Sequence, residues 1–108
     1  MLKACAIRNV KYSDLWETPD TLWNSVLPTI WTKPINIWEP FVGVTNRSTK
    51  IFKELGHDVI ETTDDFFTLT WPETADVLIS NPPFSRKFEV LEKLIQLQES
   101  KTHPFMIL

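Results

Sequence analysis

The sequence predicts an α/β fold: a mainly parallel sheet with helices on both faces. Three observations carry that expectation. From residue 35 onward, short β-rich runs alternate with segments of helical periodicity, the pattern of strand–helix–strand crossover units. The run Val77-Leu78-Ile79 is apolar at consecutive positions, as suits a strand covered on both faces. With 108 residues and 43% apolar content, the chain has material for one core and one domain.

The elements follow in order. Residues 1–34 are a polar and aromatic segment preceding the alternating core of residues 35–108. Within it, Thr18-Pro19-Asp20 reads as a helix start, with Thr18 as N-cap and Pro19 at the first helical position. Trp23, Val26 and Leu27 then share a face, and Pro28 ends or bends the helix. The first strand is predicted over 35–40, ended by Pro40. A helix follows over 46–56, with Ile51, Phe52 and Leu55 at helical spacing and Gly56 as its stop. A second strand over 57–62 leads to a polar-aromatic loop at 63–74. The third strand spans 76–80. The helix over 85–100 is the best defined, with Phe88, Leu91, Leu94 and Ile95 predicted on its inward side. The run 103–108 is a last strand, and an apolar edge of this kind invites pairing with another chain. We therefore expect a domain incomplete at its C-terminus, or self-association through that strand edge.

Composition narrows the function classes. A formal charge of −3 argues against a free-standing nucleic-acid binder, which draws most of its affinity from phosphate neutralisation. Local basic points stand at Arg47, Lys50 and Lys53, and again at Arg86 and Lys87. Cys5 is the single cysteine and His57 and His103 are the two histidines, so neither a disulfide framework nor a metal site is expected. No apolar run approaches the ~20 residues needed to cross a membrane, and no signal-peptide core is visible. A cytoplasmic protein is expected.

In open parallel sheets, ligands bind beyond the carboxyl ends of the strands, where the strand order reverses. That rule directs attention to residues 39–46, 61–66 and 80–84. After the first strand, Glu39 offers a carboxylate to something cationic or rich in donors. Pro40 fixes the turn, Phe41 follows, and Gly43 permits close approach of backbone to a ligand. After the second strand, Glu61 or Asp64 are rival acceptors for ribose hydroxyls. Asp65 beside Phe66 pairs an acceptor with a flat apolar ring, which suits an adenine. After the third strand, Asn81 leads into Pro82 and Pro83, whose fixed φ and missing N–H groups make a rigid elbow. The elbow carries acceptors in the Asn81 side-chain oxygen and the carbonyls preceding the two prolines. Phe84 adds a ring beside them. Two prolines and an aromatic exceed what strand termination requires.

These residues together resemble a family. Asn81-Pro82-Pro83-Phe84 after an apolar strand looks like the catalytic motif of S-adenosyl-L-methionine-dependent amino methyltransferases, above all the N6-adenine DNA methyltransferases. Glu39-Pro40-Phe41-Val42-Gly43 resembles their cofactor motif, and Glu17-Thr18-Pro19 resembles the cofactor-contacting segment that precedes it. Asp64-Asp65-Phe66-Phe67 is similar to the acidic-aromatic pair that holds the cofactor's adenine. The matches occur in family order and span about residues 16–108. Where the family pattern expects a second glycine, this chain has Thr45.

The resemblance implies a Rossmann-like methyltransferase core with S-adenosyl-L-methionine as cofactor and adenine in DNA as target. It also implies a fold truncated before the region that grips DNA. On that basis Asn81 Oδ1 and the Pro82 carbonyl would accept the two hydrogens of the amine, and Phe84 would stack on a base drawn out of the duplex. Prepositioned dipoles then meet the charge that develops on nitrogen. Related enzymes of this motif act on RNA bases or protein glutamine, so the acceptor stays open. A non-catalytic remnant of the same fold is the other expectation.

Overall fold

The computed structural model describes residues 18–41, 46–98 and 102–107. Helix α1 spans Asp20–Ile30, strand β1 Asn36–Glu39, helix α2 Arg47–Glu54 and strand β2 Asp58–Glu61. Strand β3 follows over Val77–Ser80, helix α3 over Lys87–Gln96 and strand β4 over Phe105–Ile107. The four strands form one sheet in the order β2-β1-β3-β4, and every pairing is parallel. The expected α/β class is therefore the observed one.

Side-chain alternation along the strands builds two cores. Ile37, Val77 and Ile79 point to one face, where they meet Trp23 and Leu27 of α1 and Ile51 and Phe52 of α2. Trp38 and Leu78 point to the other, where they meet Phe41, Phe66 and the α3 residues Val90 and Leu94. Each large side chain removed from water in this way contributes roughly 1.5–3 kcal/mol. Strand β3 is buried at all four positions, as its unbroken apolar run requires.

Local rules explain the helix ends and correct three expectations. Helix α1 begins one residue later than the proline signal implies. Pro19 is the N-cap, and Thr18 makes no capping hydrogen bond. Pro28 does not end α1, which continues to Ile30 with Pro28 in its last turn. There the missing N–H forfeits one ladder bond, while the Trp31 N–H still reaches the Leu27 carbonyl at 3.0 Å. Helix α2 stops as predicted. Gly56 takes φ +95°, its N–H bonds the Lys53 carbonyl at 3.0 Å, and the His57 N–H bonds that of Phe52 at 3.1 Å. That pair of bonds is the Schellman arrangement.

The third correction concerns α3. Its buried residues are Val90 and Leu94, whereas Phe88 and Ile95 face solvent. Helical spacing alone allows either stripe. The helix enters through a 3-10 turn at Phe84–Arg86, which resets the angular phase before α3 begins.

Hydrogen bonds pin the amino ends of the strands. The Asn36 N–H donates to Asp76 Oδ2 and the Asp76 N–H to the Asn36 carbonyl, both at 2.8 Å. The Asn36 amide also donates to the Thr74 carbonyl, and the Ile35 N–H donates to His57 Nδ1 at 3.2 Å. These ties leave the carboxyl ends of the strands as the open side of the sheet.

Candidate functional site at the strand switch point

Because β1 connects outward to β2 and β3 connects the opposite way to β4, the sheet order reverses between β1 and β3. Glu39 ends β1 and Ser80 ends β3, and the two meet there. Ser80 Oγ donates to Glu39 Oε1 at 2.5 Å. The Phe41 N–H donates to the same oxygen at 2.8 Å, and Ser48 Oγ donates to Glu39 Oε2 at 3.1 Å. One carboxyl group thus joins β1, β3 and the first turn of α2.

Glu39 is buried, and no ion pair among the described residues includes it. Burial pushes its carboxyl up from the ordinary 4.5 to about 7, against the lowering effect of its three donors. The charge of Glu61, its register partner on β2, pushes the same way. Desolvation outweighs hydrogen bonding here, and among the described residues no cation pairs with the carboxylate to compensate. Glu39 is accordingly a tied carboxyl group rather than a free one.

Beyond β3 the chain passes through Pro82 and Pro83 into the 3-10 turn Phe84–Arg86. Pro82 and Pro83 are buried, and Asn81 is half-buried. The Pro83 carbonyl accepts the Arg86 N–H at 3.1 Å, which starts the 3-10 turn. Among the described residues, no hydrogen bond engages the Asn81 side chain or the Pro82 carbonyl. Those are the acceptors the sequence pointed to. Phe84 is 77% exposed, with Lys87 Nζ 5.6 Å from its ring centroid.

The amino ends of α1 and α2 come together beside this corner, where Asp20 and Arg47 pair at 3.3 Å. Within two residues of that pair lie three polar atoms with no hydrogen-bond partner: Thr18 Oγ1, Thr49 Oγ1 and Asn46 Oδ1. Thr18 and Thr49 are each only 3% exposed. A buried unpaired hydroxyl costs about 1–3 kcal/mol, so a polar group reaching either threonine would be stabilised there. Asn46, the N-cap of α2, adopts φ 56°, and its backbone carbonyl accepts the Lys50 N–H at 3.1 Å.

The remaining expected residues scatter around this centre. Pro19 and Asp64 are exposed, Pro40 and Phe41 are buried, and Glu61 is exposed at the tip of β2. Asp65 Oδ1 accepts the Phe67 N–H at 3.0 Å and caps the 3-10 turn Phe66–Thr68. Phe66 lies fully inside the core, its ring 4.9 Å from that of Phe41 and 5.8 Å from that of Trp38. Its neighbour Phe67 is half-buried and carries Arg86 5.1 Å above its ring. Glu17, Gly43 and Thr45 lie outside the described residues. Ser48, Thr49 and the Glu39–Ser80 bond escape sequence reasoning, because isolated hydroxyl residues carry no pattern until strand pairing brings them together.

The fold and site define an α/β protein with a parallel sheet, whose candidate ligand face is the β1–β3 switch point. No known family profile matches the chain, and neither a curated protein nor a solved structure matches it.

Proposed function

We propose that this chain is the cofactor-binding and catalytic core of an S-adenosyl-L-methionine-dependent methyltransferase acting on the exocyclic amine of adenine in DNA. The observation that carries the reading is the elbow after β3. It directly follows β3, among the described residues no hydrogen bond engages the Asn81 side chain or the Pro82 carbonyl, and the Phe84 ring is exposed. The polar atoms at the helix ends, two hydroxyls and the Asn46 Oδ1 acceptor, suit the ammonium and carboxylate of the cofactor's amino-acid portion, which Thr18, Asn46 and Thr49 would hold. Glu61 or Asp64 would take the ribose.

The cofactor supplies an activated sulfonium methyl group, so the chain's own task is alignment. Asn81 Oδ1 and the Pro82 carbonyl would accept the two amine hydrogens, drawing the nitrogen lone pair out of conjugation with the ring. Phe84 would hold the base plane. Held this way, the amine nitrogen would be aimed at the cofactor's methyl carbon, and the one proton it gives up on transfer would pass to solvent.

Thermal melts with S-adenosyl-L-methionine test the cofactor site, since ligand at about 100 times its Kd stabilises by about 2.7 kcal/mol. An unchanged Tm at millimolar ligand sinks the proposal. Digestion of DNA, RNA and protein after incubation identifies the acceptor, with N6-methyladenine in DNA expected. Asn81→Ala should abolish transfer and keep the thermal shift.

A non-catalytic module of the same fold is the second reading. It is favoured by the internal engagement of Glu39 with three donors and by Thr45 at the position of the second glycine. Methyl transfer by the 108-residue chain would end it.

A further inference from the structure

Phe84 opens the 3-10 turn and Phe88 lies in the first turn of α3, and they are 77% and 83% exposed. Two phenylalanines so open to water are costly unless something covers them. Between them lie Arg86 and Lys87. Arg86 is committed, its guanidinium gripping the Glu89 carboxylate with two bonds of 2.7 Å. Lys87 forms no ion pair among the described residues, and its ammonium lies over the Phe84 ring.

We propose that Phe84 and Phe88 form a two-ring stacking surface for successive unstacked bases of a single-stranded polynucleotide, with Lys87 meeting the phosphate between them. The inference rests on the methyltransferase reading for Phe84 and extends the contact surface to Phe88 and Lys87. Charge favours this occupant over a purely apolar one, since Lys87, which lies between the two rings in the sequence, forms no ion pair among the described residues. A ring offers its face to any base, and an unpaired ammonium beside it supplies the charge a phosphate needs. The surface is continuous with the elbow, because Phe84 directly follows Pro83. The net charge of −3 argues against a broad basic face, so the proposal rests on one local cation, Lys87, which forms no ion pair among the described residues.

Fluorescence anisotropy with labelled 12-nucleotide oligodeoxyadenylate and oligoriboadenylate tests the proposal on the full chain. Phe88→Ala should weaken binding about 5- to 150-fold, the range of one base–ring stack, and Phe88→Trp should restore it. Lys87→Gln should lower the salt dependence by about 0.7 in log–log slope. Ile95→Ala, farther along α3, should change nothing. The ratio of the two affinities separates DNA from RNA.

Absence of binding to both oligonucleotides overturns the proposal, as does equal binding by Phe88→Ala. An equal loss from Ile95→Ala also overturns it and makes the stripe a protein-docking face. So does sedimentation showing a self-associated chain that Phe88→Ala turns into monomers. The cofactor-induced thermal shift is read separately. If it persists while oligonucleotide binding fails, the stacking surface is wrong and the cofactor site stands. If it is absent while binding follows the expected variant pattern, the methyltransferase reading falls and a nucleic-acid-binding surface is left.

Discussion

Glu39 concentrates the chemistry of the site in one group whose protonation the fold controls. Burial raises its carboxyl to about 7, so the folded protein binds this proton more tightly than the unfolded chain does. The resulting stability is fully present below pH 4.5 and is lost as pH rises through about 7. At about 1.4 kcal/mol per pH unit, the contribution is about 3 kcal/mol. Glu39→Gln keeps the shape of the network and removes the titration. In urea denaturation, the stability difference between wild type and Glu39→Gln should therefore shrink, or change sign in favour of Gln, from pH 4.5 to 7.5. A constant difference would contradict it. Ser80→Ala removes the Ser80 Oγ hydrogen bond that favours the charged Glu39 and should move the midpoint of that curve upward, while costing about 1–3 kcal/mol.

At the scale of elements, α3 is the informative case. Its sequence carries two apolar stripes, one through Val90 and Leu94, the other through Phe88 and Ile95. Both satisfy helical periodicity, so the sequence reading places Phe88, Leu91, Leu94 and Ile95 on a single inward side. The sheet selects the first stripe because Trp38, Phe41, Phe66 and Leu78 form the surface it fits. Leu94→Ala should then cost about 2–5 kcal/mol, and Ile95→Ala stay within about 0.5 kcal/mol. Reversed costs in denaturant titrations would put the helix the other way round. The ends of α2 show the opposite case. Gly56 is legible in advance because a left-handed φ with no β-carbon penalty is a local property.

For the whole molecule, two buried titratable groups pull stability in opposite directions with pH. His57 lies at the amino end of the sheet, and burial holds its imidazole below the ordinary 6.5. Its contribution is present above pH 6.5 and is lost as pH falls, because the unfolded chain binds the proton more tightly. The protein should therefore lose stability from His57 on the acid side and from Glu39 on the way to neutrality. Removing the Glu39 titration should leave acid destabilisation as the main remaining limb, visible as a Tm that no longer falls between pH 5 and 7. The two groups sit at opposite ends of β1 and its neighbours, and their substitutions should add.

What the sequence by itself determined is the class of fold and the residues at the strand ends. Alternation of strand and helix, the unbroken apolar β3 and the stop at Gly56 are local signals, and backbone sterics and burial act on them directly. The Asn81-Pro82-Pro83-Phe84 elbow was legible for the same reason, since proline geometry depends on its neighbours in the chain. Tertiary structure alone decided that Glu39 is tied to Ser80 and Ser48, that Phe66 belongs to the core, and that Thr18 and Thr49 are buried without partners. Those facts depend on which strands become neighbours at the switch point. Sequence separation hides that choice: Glu39 and Ser80 stand 41 residues apart and share a hydrogen bond only because β1 and β3 pair.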